Sequence, residues 1–202
     1  TDERVKAVTF VGTTGVGKQV YSKAAEHGKR VQAQTEAKNH ALVLEDCNLE
    51  ATVNAIINST YGCAGMRCMA LPVVCVQESI ADDFVALLKK KAEAMKLGCA
   101  YEEATDLGPV VNAGHKAKIC DWIQKGIDEG AELVLDGRDV KVPGYENGFF
   151  VGPTILDHVK PGMTVGDREI FGPVTCIKRV KDYEEGIKIM NANPFANGSC
   201  IF

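Results

Sequence analysis

Short apolar runs alternate along this chain with segments whose apolar residues recur at helical spacing, and that alternation leaves few folds open. Residues 5–11, Val-Lys-Ala-Val-Thr-Phe-Val, read as a strand. The turn Gly12-Thr13-Thr14-Gly15 then leads into a helix bearing Val16, Val20, Tyr21 and Ala24, which Gly28 ends. A strand, a glycine turn and a helix in that order is the unit from which parallel sheets are built. Further on, Ala41–Leu44 reads as a strand, and Asn48 caps a helix with Val53, Ile56 and Ile57 on one face. The strand Pro72–Val76 precedes a helix with Phe84, Leu87, Leu88 and Met95 inward and Lys89, Lys90 and Lys91 in solvent. Ile119, Trp122, Ile123 and Ile127 mark another helix, and Leu133–Leu135 the strand after it. The turn-rich stretch Gly144–Gly148 precedes an extended Phe149–Leu156. Val174–Val180 is a strand, and Asp182 with Glu185 forms a capping box for a helix bearing Tyr183, Ile187 and Met190. The last residues, Gly198 to Phe202, turn into a strand that stops abruptly, and the first strand lacks the βα units usually set beside it. The expected class is α/β, and both ends read as those of a piece of a longer protein.

The 202 residues, 46% of them hydrophobic, can bury a core as one large domain or two small ones. A formal charge of −4 with scattered Lys and Arg argues against nucleic-acid and membrane partners and for small molecules. The longest apolar stretch, around Ala70–Val76, is far short of the roughly 20 residues a membrane span needs. The opening Thr1-Asp2-Glu3-Arg4-Val5-Lys6 has no secretory pattern, so the cytosol or the mitochondrial matrix is the expected compartment. Cysteines at 47, 63, 68, 75, 99, 120, 176 and 200 show no C-x-x-C pair, so no metal site is expected, and most read as small buried hydrophobes, as Cys75 does.

Two segments carry chemistry. Gly12-Thr13-Thr14-Gly15-Val16-Gly17-Lys18 sits between strand and helix, where backbone N–H groups and the helix dipole favour a phosphate. The spacing approaches a G-x-x-x-x-G-K-[ST] phosphate loop, but Gln19 lacks the hydroxyl that holds magnesium. A plain strand-to-helix turn is the alternative reading. In Gly62-Cys63-Ala64-Gly65-Met66-Arg67-Cys68, a structural cysteine competes with a nucleophilic one. Arg67 places a cation beside Cys68, of the kind that favours a thiolate, and the glycines leave room for amides around an oxyanion.

Phe10-Val11-Gly12-Thr13, Lys38-Asn39-His40, Gly65-Met66-Arg67-Cys68, Phe150-Val151-Gly152-Pro153-Thr154-Ile155, Glu169-Ile170-Phe171-Gly172-Pro173-Val174 and Asn193-Pro194-Phe195-Ala196-Asn197-Gly198 follow one another in the order and spacing of the aldehyde dehydrogenase superfamily. The resemblance covers essentially the whole chain. It narrows to the CoA-acylating methylmalonate and malonate semialdehyde dehydrogenases on Gly28-Lys29-Arg30-Val31-Gln32-Ala33, Lys38-Asn39-His40 and Arg67-Cys68-Met69-Ala70. It implies a remnant of the Rossmann-like NAD-binding domain over residues 1–36 and a catalytic domain over 37–202, cut before the terminal oligomerisation strand of a homo-oligomeric parent. Cys68 is then the nucleophile, and Gly12 and Thr13 lie against the NAD phosphates. Thr35 meets the nicotinamide through its carbonyl, Glu169 binds the nicotinamide ribose, and Phe171 packs beside the ring. Arg67 receives the substrate carboxylate.

The sequence departs from the family's pattern at Gln34, where hydrolytic members carry a glutamate that activates water. An amide is not a base at neutral pH, so the resemblance favours transfer of the acyl group to coenzyme A. Thr35-Glu36-Ala37 replaces a glycine-containing stretch, and Met66 is unusual beside Arg67. A P-loop-like nucleotide-binding domain, and a fragment that keeps only the fold, are the other readings. The family's earlier nucleotide-binding strands and the asparagine completing its oxyanion hole would lie outside these residues.

Overall fold

The computed structural model describes residues 2–195 and 197–202. Thr1 of the opening stretch and Ala196 of the Asn193–Gly198 motif lie outside the described residues. The chain forms two units, residues 1–37 and residues 38–202.

In the first unit β1 (Ala7–Val11), α1 (Thr14–Glu26) and β2 (Arg30–Gln34) make a βαβ crossover, with β1 and β2 parallel and Ala7 opposite Arg30. Gly28 ends α1 as expected: its φ of +63° is the left-handed turn that lets Lys29 N–H reach back to the Ala24 carbonyl at 3.1 Å. The inward face of α1 differs from the expected one. Gly17 and Ala24 are buried while Val16 and Tyr21 are exposed, and Gly17 lies so close to the residue after β2 that a Cβ there would meet Thr35 Cγ2 at 2.5 Å. Strand β2 was not expected; in Arg-Val-Gln-Ala-Gln the alternation is only five residues long and mostly polar.

The second unit begins with β3 (His40–Val43), α2 (Leu49–Tyr61), β4 (Val73–Gln77), α3 (Glu78–Glu93) and α4 (Ala113–Asp128). It continues through β5 (Glu132–Leu135), β6 (Thr154–Asp157), α5 (Thr164–Asp167), β7 (Val174–Val180), α6 (Tyr183–Ala192) and β8 (Ser199–Ile201). One sheet runs β5-β6-β7-β4-β3-β8, all neighbours parallel except β5 with β6. Its central strands are buried on both faces, which is why they read as continuous apolar runs. Val74, Val76, Ile155 and Ile177 pack with Val53, Ile56, Phe84 and Leu88 of α2 and α3. On the other face Val73, Leu156, Val174 and Cys176 meet Ile119 and Ile123 of α4, while Leu42, Cys75 and Val180 meet Ile189 and Met190 of α6.

Asn48 caps α2 by accepting from Ala51 N–H at 3.1 Å. Asp182 accepts from Glu185 N–H at 2.9 Å, but the Glu185 carboxylate takes Lys181 N–H rather than that of the cap residue, so the capping box closes one residue early. Ile187 and Tyr183 of α6 are exposed, and Gly186 is buried because the Leu42 side chain fills the space where its Cβ would stand. Met95 packs against the core from beyond the end of α3. The expected extended stretch 149–156 becomes a strand only at Thr154: Gly152 N–H bonds to the Gly137 carbonyl at 2.8 Å, and Pro153 has no donor for a ladder. The short α5 carries no apolar periodicity and was not foreseen.

Three polar side chains at the entry to β3, those of Lys38, Asn39 and His40, are buried. His40 Nδ1 faces the Lys38 carbonyl at 2.8 Å, and burial, then the Lys178 cation, pushes the imidazole down from 6.5 to about 4. His40 is thus neutral when folded, while an unfolded chain takes up its proton as the pH falls through 6.5. Its stabilising contribution is complete above pH 6.5 and is lost on acidification toward pH 4, by up to about 3 kcal/mol. Urea unfolding at pH 7, 5.5 and 4.5 is expected to show this slope in the wild type and a flatter one in His40→Asn; identical slopes contradict it.

Candidate active site

The segment between α2 and β4 is bolted at both ends. At the α2 end Thr60 Oγ1 donates to the Leu71 carbonyl at 2.8 Å, and Leu71 N–H donates to Ser59 Oγ at 3.1 Å. Tyr61, wholly buried, accepts from Thr175 Oγ1 at 2.8 Å and donates to the Thr154 carbonyl at 3.3 Å, which ties α2 to β6 and β7. Between these anchors the chain makes a tight turn, Gly62–Gly65, in which Cys63 and Ala64 both have φ +52° and Gly65 has φ +71°. Left-handed backbone at two non-glycine residues is costly and persists only where the surroundings enforce it. Gly65 meets the opposite loop directly: a Cβ there would stand 2.1 Å from the Gly172 carbonyl oxygen. Met66 lies partly buried against the core that α4 covers, which accounts for an apolar residue beside Arg67.

Cys68 follows at a corner of the turn closed by Ala70 N–H on the Arg67 carbonyl at 3.0 Å, and its side chain belongs to an exposed residue. The expectation that most cysteines fill the core holds for Cys75 and Cys176 alone; Cys63, Cys68 and Cys200 are exposed and the other three half-buried. Burial pushes the Cys75 thiol up to about 11 and raises that of Cys176 as well. Arg67 turns its guanidinium back onto α2, donating to the carbonyls of Asn58 and Ser59, the latter at 3.1 Å. Gly62 leaves the room for it, since a Cβ there would collide with that guanidinium. A cation at a helix C-terminus is favourable in its own right, so Arg67 already has a structural use here.

The Glu169–Pro173 loop precedes β7 and is held by α4. His115, in the first turn of α4, meets the Phe171 carbonyl through Nε2 at 2.7 Å and sets its ring edge-on to that of Phe171, 6.3 Å away. Phe171 has φ +60° and is 37% exposed, an aromatic held out of the core by its backbone. Glu169 is half-buried. The packing of Gly65 on Gly172 thus brings the loop of Glu169 and Phe171 against the loop of Arg67 and Cys68.

In the sequence Asn39 and Asn197 stand only as parts of motifs, yet in the fold they grip the cysteine turn. Asn39 Nδ2 donates to the carbonyls of Cys68 and Ala70, each at 2.8 Å, while its Oδ1 accepts Gly198 N–H at 2.8 Å. Asn197 Nδ2 donates to the Cys68 carbonyl at 2.9 Å. His115, which holds the Phe171 loop, carries no signal in the sequence beyond its place four residues before Ile119 on α4. Lys38 is buried without a hydrogen-bond partner for Nζ among the described residues, and burial pulls its ammonium pKa down.

The first unit gathers the other expected positions. Gly12 N–H donates to the Gln34 carbonyl at 3.2 Å, and a Cβ on Gly12 would run into the Phe10 ring at 2.6 Å, so a larger residue there would displace that ring. Thr13 occupies the N-cap position of α1 without a capping bond from its side chain. Thr14 N–H, the first helical amide, donates to Glu36 Oε2 at 3.3 Å. A side-chain carboxylate therefore stands at the helix N-terminus. Among the described residues no group of three or more His, Cys, Asp or Glu is placed to hold a metal ion, and no helix is long and apolar enough to cross a membrane.

The profile described as "Aldehyde dehydrogenase family" matches residues 1–202. A methylmalonate-semialdehyde dehydrogenase [acylating], mitochondrial, from Arabidopsis thaliana is 47% identical over 201 residues, all of this chain and 33% of the relative. A malonate-semialdehyde dehydrogenase from Bacillus subtilis is 48% identical over 198 residues, 98% of this chain and 40% of the relative. Among solved structures, a methylmalonate-semialdehyde dehydrogenase from Oceanimonas doudoroffii superposes with a TM-score of 0.95 at 41% identity, covering 100% of this chain and 41% of that one. A putative methylmalonate-semialdehyde dehydrogenase from Sinorhizobium meliloti complexed with NAD gives 0.94 at 41% identity, over 97% of this chain and 40% of that one. The chain thus spans about two-fifths or less of the length of these relatives.

Site-resolved alkylation tests the geometry of the cysteines. At pH 7.5, iodoacetamide with peptide mass mapping is expected to label Cys63, Cys68 and Cys200 at least about 100-fold faster than Cys75 and Cys176, which are buried and almost wholly protonated. Fast labelling of Cys75 contradicts the fold drawn here.

Proposed function

The chain belongs to the aldehyde dehydrogenase family, and from that premise we propose that its parent enzyme oxidises a small acidic semialdehyde with NAD and passes the acyl group to coenzyme A. The observation that carries the reading is the exposed Cys68 on a turn fixed at both ends, with the Glu169–Phe171 loop packed against the same segment. The Cys68 thiolate attacks the aldehyde carbon, and the carbonyl pair moves to oxygen. As that oxyanion collapses, hydride leaves the carbon and a thioester to Cys68 remains. When NAD is bound, its nicotinamide supplies the hydride acceptor. A coenzyme A thiolate then adds to the thioester carbon and Cys68 departs as thiolate, giving the acyl-CoA and restoring the enzyme.

The first unit fits a dinucleotide in its βαβ layout and glycine turn, with residues 1–36 as the end of an NAD-binding domain and 37–202 as the catalytic domain. Gly12 and Thr13 would face its phosphates, Thr35 its nicotinamide, Glu169 its ribose and Phe171 its ring. Arg67 is proposed to receive the substrate carboxylate; it would do so by leaving or sharing the α2 carbonyls it now contacts. Gln34, an amide, gives water no base, so thiol transfer replaces hydrolysis. The same family membership supports a homo-oligomeric parent, and eight free cysteines suit a reducing compartment such as the cytosol or the mitochondrial matrix. A P-loop reading has no support: Gln19 lies within α1 and offers no hydroxyl.

NADH formation by the full-length enzyme from malonate semialdehyde is expected to turn over only with coenzyme A, to disappear in Cys68→Ala, and to become partly independent of coenzyme A in Gln34→Glu. Equal rates in wild type and Cys68→Ala eliminate the mechanism. Glu36 would compete with a cofactor phosphate for Thr14 N–H, so Glu36→Gly should tighten NAD binding about two- to fivefold by calorimetry, an anion at a helix terminus being worth about 0.3–1 kcal/mol. Unchanged or weaker binding removes Glu36 from the phosphate site.

A further inference from the structure

We infer that Asn39 and Asn197 are positioning residues for the Cys68 nucleophile, two side-chain amides that hold its carbonyl and so fix the backbone from which its sulfur projects. The inference rests on the reading of Cys68 as the nucleophile and adds how that sulfur is aimed.

Cys68 is exposed, and so is Met69 after it, so the place from which the sulfur reaches a substrate is set by the backbone of the turn. The turn that carries it follows three residues of left-handed backbone, a stretch that relaxes unless held. The hold is complete in hydrogen-bonding terms. A carbonyl oxygen offers two lone pairs, and that of Cys68 receives two amides, one from Asn39 and one from Asn197. An asparagine amide offers two hydrogens, and Asn39 spends one on Cys68 and the other on Ala70. Its oxygen takes Gly198 N–H. The orientation of the Asn39 amide is therefore unambiguous, since a flip would set its oxygen against two carbonyls and its NH2 against another N–H. Asn39 is 3% exposed, so water does not replace these bonds.

The two amides reach the turn from separate places, the start of β3 and the approach to β8. Gly198 adds a contact of its own, since a Cβ there would stand 2.8 Å from Met69 Cε. The Cys68–Met69 peptide is thus pinned between the strand that opens the second unit and the loop before its last strand. Reaction at a carbonyl is steeply sensitive to such placement, and an error of about 1 Å costs on the order of 100-fold in rate.

Asn39→Asp keeps the acceptor for Gly198 N–H and replaces both donors by an anion facing two carbonyls. Asn197→Ala removes one donor at the surface, where folding tolerates the change. Both are compared with wild type and Cys68→Ala in the full-length enzyme by three measurements: the single-turnover rate of NADH formation without coenzyme A, the NAD dissociation constant, and Cys68 alkylation by iodoacetamide. The expected result is an acylation rate at least about tenfold lower in Asn39→Asp and lowered less in Asn197→Ala. NAD affinity should be unchanged and alkylation not slowed, since a small electrophile accepts many approach directions. Asn197→Ala alone decides the matter where Asn39→Asp does not fold. An unchanged acylation rate, or a fall shared equally by acylation, NAD binding and alkylation, overturns the inference. NADH formation persisting in Cys68→Ala instead overturns the assignment of the nucleophile.

Discussion

The geometry of the second unit depends on how the nine residues from Gly62 to Ala70 are held. Left to itself this stretch would relax out of its left-handed turn, and the cysteine at its end would have no fixed direction. Thr60 and Ser59 lock its frame to Leu71, Gly65 lies flat against the Gly172 carbonyl, and Asn39 crosses from β3 to hold the far end. Each contact is a hydrogen bond satisfied in a buried or half-buried place, or a backbone approach that leaves no room for a side chain. These are the constraints that make local strain tolerable.

That arrangement explains why the sheet is built as it is. The parallel strands β3, β4 and β7 begin on the same side, and the segments leading into them are the ones that carry Asn39, Cys68 and the Glu169–Phe171 loop. Helices on both faces keep the strands dry and in register, so the loops inherit a rigid base. α4 extends this to the second loop, through the His115 contact with the Phe171 carbonyl and through Ile119, which fills the space beside Gly172.

Much of this was legible in the residues. The apolar runs of β3, β4 and β7 and the caps Asn48 and Asp182 announce themselves, because burial on two faces and side-chain capping leave direct compositional traces. What stayed hidden depended on partners distant in sequence. Asn39 in a motif gives no sign that its amide spans Cys68, Ala70 and Gly198, and a glycine does not say whether it turns the chain or, as Gly12 and Gly17 do, makes way for a neighbour. Strand β2 is too short and too polar to stand out, and the back-turned Arg67 depends on carbonyls freed by the end of α2. Cys68 itself is visible chiefly through the ordered motifs around it, since Arg67 and the nearby glycines alone leave a structural cysteine as a competing reading. Glu36 is the reverse case: a departure plain in sequence whose physical meaning, a carboxylate on Thr14 N–H, emerged only in the fold.

The most direct test is to stop the reaction after its first half. Full-length enzyme given malonate semialdehyde and NAD without coenzyme A, quenched in acid and digested, is predicted to carry an acyl adduct on the Cys68 peptide that hydroxylamine or coenzyme A removes. NADH formed with Cys68 unmodified, or with the adduct on another cysteine, would contradict the account.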